Sequence, residues 1–333
     1  MPRRTPPASE PPRASIVVPV FNGAGYLPDA LPRLLAQRHD AFEVVVVDDG
    51  SADGSADLVR AAATDDDRLR LIALVENGGV ARARQAGVAA ARGEYVWFVD
   101  ADDDWRDDAL ARLVEAADRD RLDVVVAGAR FVYDGGSSQR ALPAPTGGPV
   151  DGRTAFEALL TGGISGHLWN KLFRRELASA LEFTPARVHS DLAMVADALS
   201  RAGRVGFLDA TIYDYRLRSG SIITSRSSRA ASLELIGDAV DRAAARLDPA
   251  LVDTDAFRYF RTRFLVLSSL KDGVQGPYSP AESRDIVRAM RRRLAASDLA
   301  VLARRRDARR LLLALAAKTS LPLYRGLLRA AER

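Results

Sequence analysis

Residues 96–105 read VWFVDADDDW: four apolar residues run directly into a cluster of four aspartates, Asp100, Asp102, Asp103 and Asp104. An apolar run with no polar alternation is how a strand buried on both faces reads, and such strands belong to parallel sheets covered by helices. Four further stretches have the same build: 15–21 (SIVVPVF), 42–48 (FEVVVVD), 69–75 (LRLIALV) and 124–132. Helical patterns at 26–37, 55–63, 80–91 and 107–118 separate them. This βαβα rhythm predicts an α/β fold with a mainly parallel sheet flanked by helices, the architecture of a nucleotide-binding domain.

Downstream of the sheet, a loop rich in Gly, Ser and Pro at 134–152 interrupts the rhythm, and strand-like pieces at 204–208 and 211–216 lie among helical ones. From about residue 229 the pattern is helical, with an Arg- and Leu-rich amphipathic stretch at 286–315. The expected organisation is a leader at 1–14, a domain at 15–225 whose nucleotide-binding part is 15–132 and whose second part is 133–225, and a basic helical region at 226–333. The leader carries prolines and arginines without an apolar run, so it reads as flexible chain and not as a secretion signal.

Composition narrows the chemistry. The 333 residues include no cysteine, which excludes disulfides, thiolate metal sites and cysteine nucleophiles. With only His39, His167 and His189 present, carboxylates must carry any metal or acid–base chemistry. The net charge of +4 is uneven: residues 281–333 hold 14 Lys and Arg against 5 Asp and Glu, and residues 1–280 hold 34 against 39. A basic tail calls for a polyanionic neighbour, with an anionic membrane surface ranked first, while the acidic body argues against nucleic acid as a partner. No stretch approaches the roughly 20 apolar residues needed to cross a bilayer. The expectation is a cytoplasmic protein with peripheral contact at the inner face of the membrane.

Ligands of open α/β sheets bind at the carboxyl ends of strands, and three acidic features compete for that role. Asp48-Asp49-Gly50-Ser51 follows VVVV and reads equally as a turn opening a helix. Beyond residue 99, an extended segment would send Asp100 and Asp102 to the same side. Two converging carboxylates repel unless a cation sits between them, and Mg²⁺ or Mn²⁺ binds through one or two carboxylates plus substrate phosphates. Asp191, in VHSDLAMVADAL, stands where a helix begins. The positive helix end favours its ionised form, which suits either a plain helix start or a general base.

Seven segments in order, VPVFN (18–22), VDDGS (47–51), NGGVARARQAG (77–87), ARGEYVWFVDADD (91–103), WNKLFRR (169–175), SDLAM (190–194) and YRLRSGSI (215–222), resemble the motif series of family 2 inverting glycosyltransferases of the GT-A fold. The resemblance implies transfer of a sugar from a nucleoside-diphosphate donor, a UDP-sugar favoured, to a hydroxyl of a glycan, lipid-linked or polymer acceptor. It implies a role in cell-surface polysaccharide or wall-glycan synthesis and makes 133–225 the acceptor side. Pro19 and Phe21 would line the base pocket with Phe21 stacking on the base, Asp49 would accept a hydrogen bond from it, and Arg84 would lie near the phosphates. Asp100-Ala101-Asp102 would be the DXD motif, with Asp102 on Mn²⁺ or Mg²⁺ and Asp100 on the nucleotide sugar or metal-bound water. Asp191 would be the catalytic base, while Arg218 and Ser221 match a segment that closes over the diphosphate in relatives. The chain departs from the pattern in having Phe21 for the usual Tyr, Gln85 for Asn, and Ser190 for the Glu that commonly precedes the base.

Other classes make distinct expectations. Aspartate-nucleophile phosphatases also end an apolar strand with DxD, but follow it with a small residue and Thr on an early strand; here Asp103-Asp104 follows on about the fourth. Gly23 and Gly25 begin a dinucleotide-binding pattern that Pro28 breaks. A non-catalytic sugar-nucleotide-binding module would share the donor residues, and the activity of an Asp191 variant separates it from an enzyme. Trp169, Asn170 and Lys171 read either as a border of the acceptor or diphosphate, or as packing.

Overall fold

The computed structural model describes residues 11–133, 138–217 and 229–330. Arg218 and Ser221 lie outside the described residues. In chain order, the elements up to residue 142 are β1 (Ala14–Val20), α1 (Leu27–Leu35), β2 (Phe42–Asp48), α2 (Ser55–Asp65), β3 (Leu69–Ala73), α3 (Val80–Ala90), β4 (Tyr95–Phe98), β5 (Asp104–Trp105), α4 (Ala109–Asp120), β6 (Val124–Tyr133) and β7 (Gln139–Leu142). Then come α5 (Gly152–Thr161), β8 (Lys171–Arg174), α6 (Arg175–Ser179), α7 (Ser190–Arg201), β9 (Val205–Leu217) and α8 (Ala230–Leu247). Helices complete the described chain: α9 (Asp255–Phe260), a π-helical turn at Arg261–Val266, α10 (Leu267–Gln275), α11 (Pro280–Arg293), α12 (Ala296–Arg304), α13 (Ala308–Thr319) and α14 (Leu321–Ala330).

Contacts gather the described residues into two compact units. The first draws on Met1–Asp151, His167–Phe183 and Ala202–Arg216; the second on Gly152–Gly166, Thr184–Arg201 and Leu217–Arg333. These units cut across the boundary expected at residue 225, because α5 and α7 pack among the C-terminal helices.

The first unit carries one sheet in the order β3-β2-β1-β4-β8-β6-β9-β5, with β7 on β6. β1 pairs in parallel with β2 and β4, and β2 with β3. All five expected strands run the same way, since β8 is antiparallel to both β4 and β6 and stands between them. β8 is not among the expected strands: KLFR is four residues with a charge at each end, too short to show a strand pattern. The core strands are buried from Ala14 to Val18 and from Phe42 to Asp48, as runs without polar alternation require. Gly87 lets α3 lie close on this surface, because a Cβ there would stand 2.3 Å from Val17 Cγ1 and 3.2 Å from Val47 Cγ2.

In the second unit a cluster built on Leu270, Leu294, Val301, Leu302, Ala317 and Tyr324 joins the last helices. The amphipathic stretch expected at 286–315 is divided among three helices. Asp298 accepts a hydrogen bond from the Ala295 amide at 2.7 Å and starts α12, and Asp307 accepts from the Arg310 amide at 3.2 Å and starts α13. Arg306, at φ +56°, turns the chain between them. Side-chain capping by aspartate competes with helix continuation, and periodicity alone does not register it. Among the described residues no helix is long and apolar enough to cross a membrane.

Candidate active site

β1 lies between β2 and β4, so the loops leaving their carboxyl ends are neighbours. Pro19 is half-buried in β1 opposite Val47, and Phe21, just beyond the strand, is 52% exposed. Backbone bonds fasten this loop to the one after β2: Asn22 N–H donates to Ser51 Oγ at 2.8 Å, Gly23 N–H to Ser55 Oγ at 2.9 Å, and Ala52 N–H to Asn22 Oδ1 at 3.0 Å. Asn22 is at φ +50°, a left-handed conformation that Asn tolerates better than most residues. An aromatic face is thereby held out from a rigid support.

Asp49 is 2% exposed, and its carboxylate accepts from the amides of Gly78 at 2.9 Å and Gly79 at 2.7 Å. It anchors the turn that opens α3, and α3 carries the buried Arg84, whose Nη2 lies 3.2 Å from Asp100 Oδ1. Gly50, at φ +73°, passes so close to this turn that a Cβ would stand 2.8 Å from the Asn77 nitrogen. Asp48 accepts from the Ser51 amide at 3.1 Å through Oδ2, while its Oδ1 is buried with no hydrogen-bond partner.

The four aspartates after β4 have separate surroundings. The strand ends at Phe98, and the Asp103 amide donates to the Asp100 carbonyl at 3.2 Å, closing a turn over 100–103. The alternation expected for an extended segment is replaced by this turn, with Asp100 and Asp102 both half-exposed on it. Asp103 is 3% exposed and accepts from Tyr213 Oη at 2.9 Å and the Arg216 amide at 2.8 Å. Asp104 pairs with Arg33 and Arg216. Burial, followed by the negative charges of Asp100 and Asp102, pushes the Asp103 carboxyl well above the ordinary carboxylate range.

Tyr213 was missed in the sequence and secures the turn. Fully buried, it accepts from the Asp100 amide at 3.1 Å while donating to Asp103, and Trp169 stacks on its ring at 4.9 Å between centroids. Burial and the neighbouring carboxylates raise its pKa well above 10, keeping the phenol a donor. A possible signal was the spacing of Tyr213 and Tyr215, one side of a strand, both stacked on Trp169. Trp169 and Asn170 pack: Trp97 Nε1–H donates to the Trp169 carbonyl at 2.8 Å, and Asn170 Nδ2 to the Ala127 carbonyl at 2.7 Å. The Lys171 ammonium, on a buried side chain, donates to the His167 carbonyl at 2.6 Å and to Asn170 Oδ1 at 2.9 Å.

Asp191 belongs to the second unit, half-exposed in the first turn of α7. His189, two residues earlier, holds φ +58°, and its carbonyl accepts from the Leu192 amide at 3.0 Å. Burial and then Arg229 lower the His189 pKa, with Asp191 opposing, so the imidazole is neutral at pH 7. Ser190, just before Asp191, is buried.

The turn's chemistry fits a hard divalent cation. Asp100 and Asp102 stand on one turn beside the buried Asp103, and carboxylates gathered this closely favour a positive charge among them. Among the described residues no group of three or more His, Cys, Asp or Glu is placed to hold a metal ion. An open site of one or two carboxylates leaves coordination positions to phosphate oxygens.

The described site is an α/β strand-end arrangement with an exposed aromatic, Phe21, beside an acidic turn. The profile described as glycosyl transferase family 2 matches residues 15–181, half of the chain, and the chain belongs to that family. The match ends ten residues before Asp191. Succinoglycan biosynthesis protein ExoO of Rhizobium meliloti is 36% identical over 221 residues, covering 63% of this chain and 62% of its own. The putative teichuronic acid biosynthesis glycosyltransferase TuaG of Bacillus subtilis is 28% identical over 221 residues, covering 65% and 83%. This chain thus spans less than two thirds of ExoO's length. Staphylococcus aureus TarS 1–349, solved with UDP, superposes with a TM-score of 0.65 at 21% identity, covering 96% of this chain and 91% of that one, which establishes a shared GT-A-like fold.

Proposed function

We propose that the chain transfers a sugar from a UDP-linked donor to an acceptor hydroxyl with inversion at the anomeric carbon, in the synthesis of a surface polysaccharide or wall glycan. The observation that carries this reading is the Asp100–Asp103 turn, which leaves Asp100 and Asp102 half-exposed at the strand end while Asp103 is tied to β9. The names of ExoO and TuaG support the glycan class, and the UDP held by TarS supports the nucleotide.

In this reading Phe21 stacks on the base beside Pro19, and Asp49, which uses two of about four acceptor positions on glycine amides, accepts from the base with another. Arg84 and Asp100, already paired, orient the donor phosphates and sugar. Asp102 would hold Mn²⁺ or Mg²⁺, which when bound stabilises negative charge on the departing diphosphate. Asp191 takes the proton from the acceptor hydroxyl as its oxygen bonds to the anomeric carbon, and the sugar–phosphate bond breaks with its electron pair leaving on the diphosphate. Arg218 and Ser221 keep their proposed place over the diphosphate on the resemblance alone.

Asp191→Asn tests the assignment. Transfer should fall about 10²–10⁴-fold, the range for a general base, with nucleotide binding unchanged. Normal transfer in Asp191→Asn beside loss in Asp102→Ala would remove the base and leave the donor site; no transfer by wild type with intact nucleotide binding would indicate a binding module.

A further inference from the structure

The second unit holds a charged groove unrelated to the strand ends. It encloses about 420 Å³ along α11, the end of α13 and the start of α14, and Arg284, Arg288, Arg291, Arg292, Lys318 and Arg325 line it. Val287, Leu321 and a serine complete the wall, so among the described residues no carboxylate lines the groove. On α11 the arginines at 284, 288 and 291 recur at helical spacing and share one face. The wall is braced: Arg291 Nη2 donates to the Lys318 carbonyl at 3.0 Å, and the Lys318 ammonium donates to the Leu294 carbonyl.

A solvated helix face usually intersperses acids with its bases, whereas Asp285, 4.0 Å from Arg288, stands outside this wall. Like charges gathered around one groove repel, and an anion placed among them relieves that repulsion. α13, whose Lys318 lines the groove, also exposes Leu312 (53%) and Leu315 (43%), with Leu315 about one turn before Lys318. Cations next to bare leucines match a surface that offers phosphate and hydrocarbon together.

We propose that this groove and the neighbouring leucines seat the chain on an anionic phospholipid surface, with lipid phosphates in the groove. The proposal goes beyond the glycosyl-transfer reading and its test is independent of activity.

The full chain is floated with phosphatidylcholine vesicles, with and without phosphatidylglycerol, over a salt series. Binding should require phosphatidylglycerol and fall steeply as salt rises. The triple variant Arg284→Gln/Arg288→Gln/Arg325→Gln should bind about 100-fold more weakly, since each surface cation contributes about 1 kcal/mol at an anionic membrane and a decade is about 1.4 kcal/mol. Leu312→Ser/Leu315→Ser should weaken vesicle binding several-fold, by about the loss of part-buried apolar contact, while leaving binding to soluble inorganic polyphosphate unchanged. Absence of wild-type binding to phosphatidylglycerol vesicles, or binding indifferent to salt, overturns the proposal without any variant. Full binding by the triple variant overturns the groove's part in it. Polyphosphate binding with no vesicle binding assigns the groove to a soluble polyanion and overturns the lipid.

Discussion

Two strands that read alike end in acids with opposite fates. After β2, Asp48 and Asp49 are both buried, and their carboxylates hold the Ser51, Gly78 and Gly79 amides. After β4, Asp103 and Asp104 are likewise tied down, yet Asp100 and Asp102 stay half-exposed on the turn. The first cluster chiefly shapes loops; the second divides its carboxylates between holding a turn and standing half-exposed on it. An apolar run ending in aspartates therefore marks the carboxyl end of a strand, and burial separates the aspartates that hold loops from those left half-exposed.

The comparison breaks most visibly at Asp102. Asp102→Ala should lower kcat by at least about 100-fold, the scale for losing electrostatic stabilisation of a developing charge. Its thermal unfolding should stay within about 0.5 kcal/mol of wild type, as for a surface substitution. Large destabilisation with modest loss of transfer would make Asp102 another anchor. Asp49→Ala should be far more destabilised in a melting experiment, losing on the order of 3 kcal/mol as two buried amides lose charged acceptors, each worth about 1.5–3 kcal/mol. An unchanged midpoint there would mean that the glycine turn needs no anchor.

Tyr213→Phe sharpens the distinction. It keeps the ring stacked on Trp169 while removing the bonds to the Asp100 amide and Asp103, and should destabilise by about 1–3 kcal/mol. Because it leaves both exposed carboxylates in place, its activity should recover with excess Mn²⁺, measured as a raised metal requirement at nearly unchanged saturating kcat. A fall in saturating kcat equal to that of Asp102→Ala would contradict a positioning role.

The smallest effect concerns the third acidic position. The half-buried His189 near Asp191 has a lowered pKa, so the folded state resists a proton that the unfolded chain takes up near pH 6.5. Its stability contribution is present above pH 6.5 and is lost as pH falls through the folded value. His189→Asn, which suits φ +58°, should flatten the drop in melting midpoint between pH 7.5 and 5.5. An unaltered slope would assign the acid sensitivity elsewhere, His39 being shifted the same way.

Legibility followed the physics of each signal. Strands buried on both faces announce themselves through unbroken apolar runs, so β1, β2, β4 and their helices could be read directly. β8 could not, because it is short and inserted between strands distant in sequence. Asp100 and Asp102 were legible as a pair, but on the wrong local geometry: the turn depends on a bond from the Asp103 amide that side-chain periodicity does not encode. The separate duties of four consecutive-looking aspartates depend on partners more than 100 residues away in Tyr213 and Arg216. The packing of α5 and α7 with the C-terminal helices likewise rests on contacts that leave no boundary in composition.

The central claim, that the Asp100–Asp102 turn and a divalent cation together hold a nucleoside diphosphate, is tested most directly by thermal stabilisation with UDP, with and without Mn²⁺, in wild type and Asp102→Ala. At a ligand concentration about 100 times Kd, binding to the folded state alone adds about 2.7 kcal/mol. The account predicts a shift with UDP and Mn²⁺ together that exceeds either alone in wild type, and whose metal-dependent part vanishes in the variant. An equal metal-dependent shift in both proteins would contradict it.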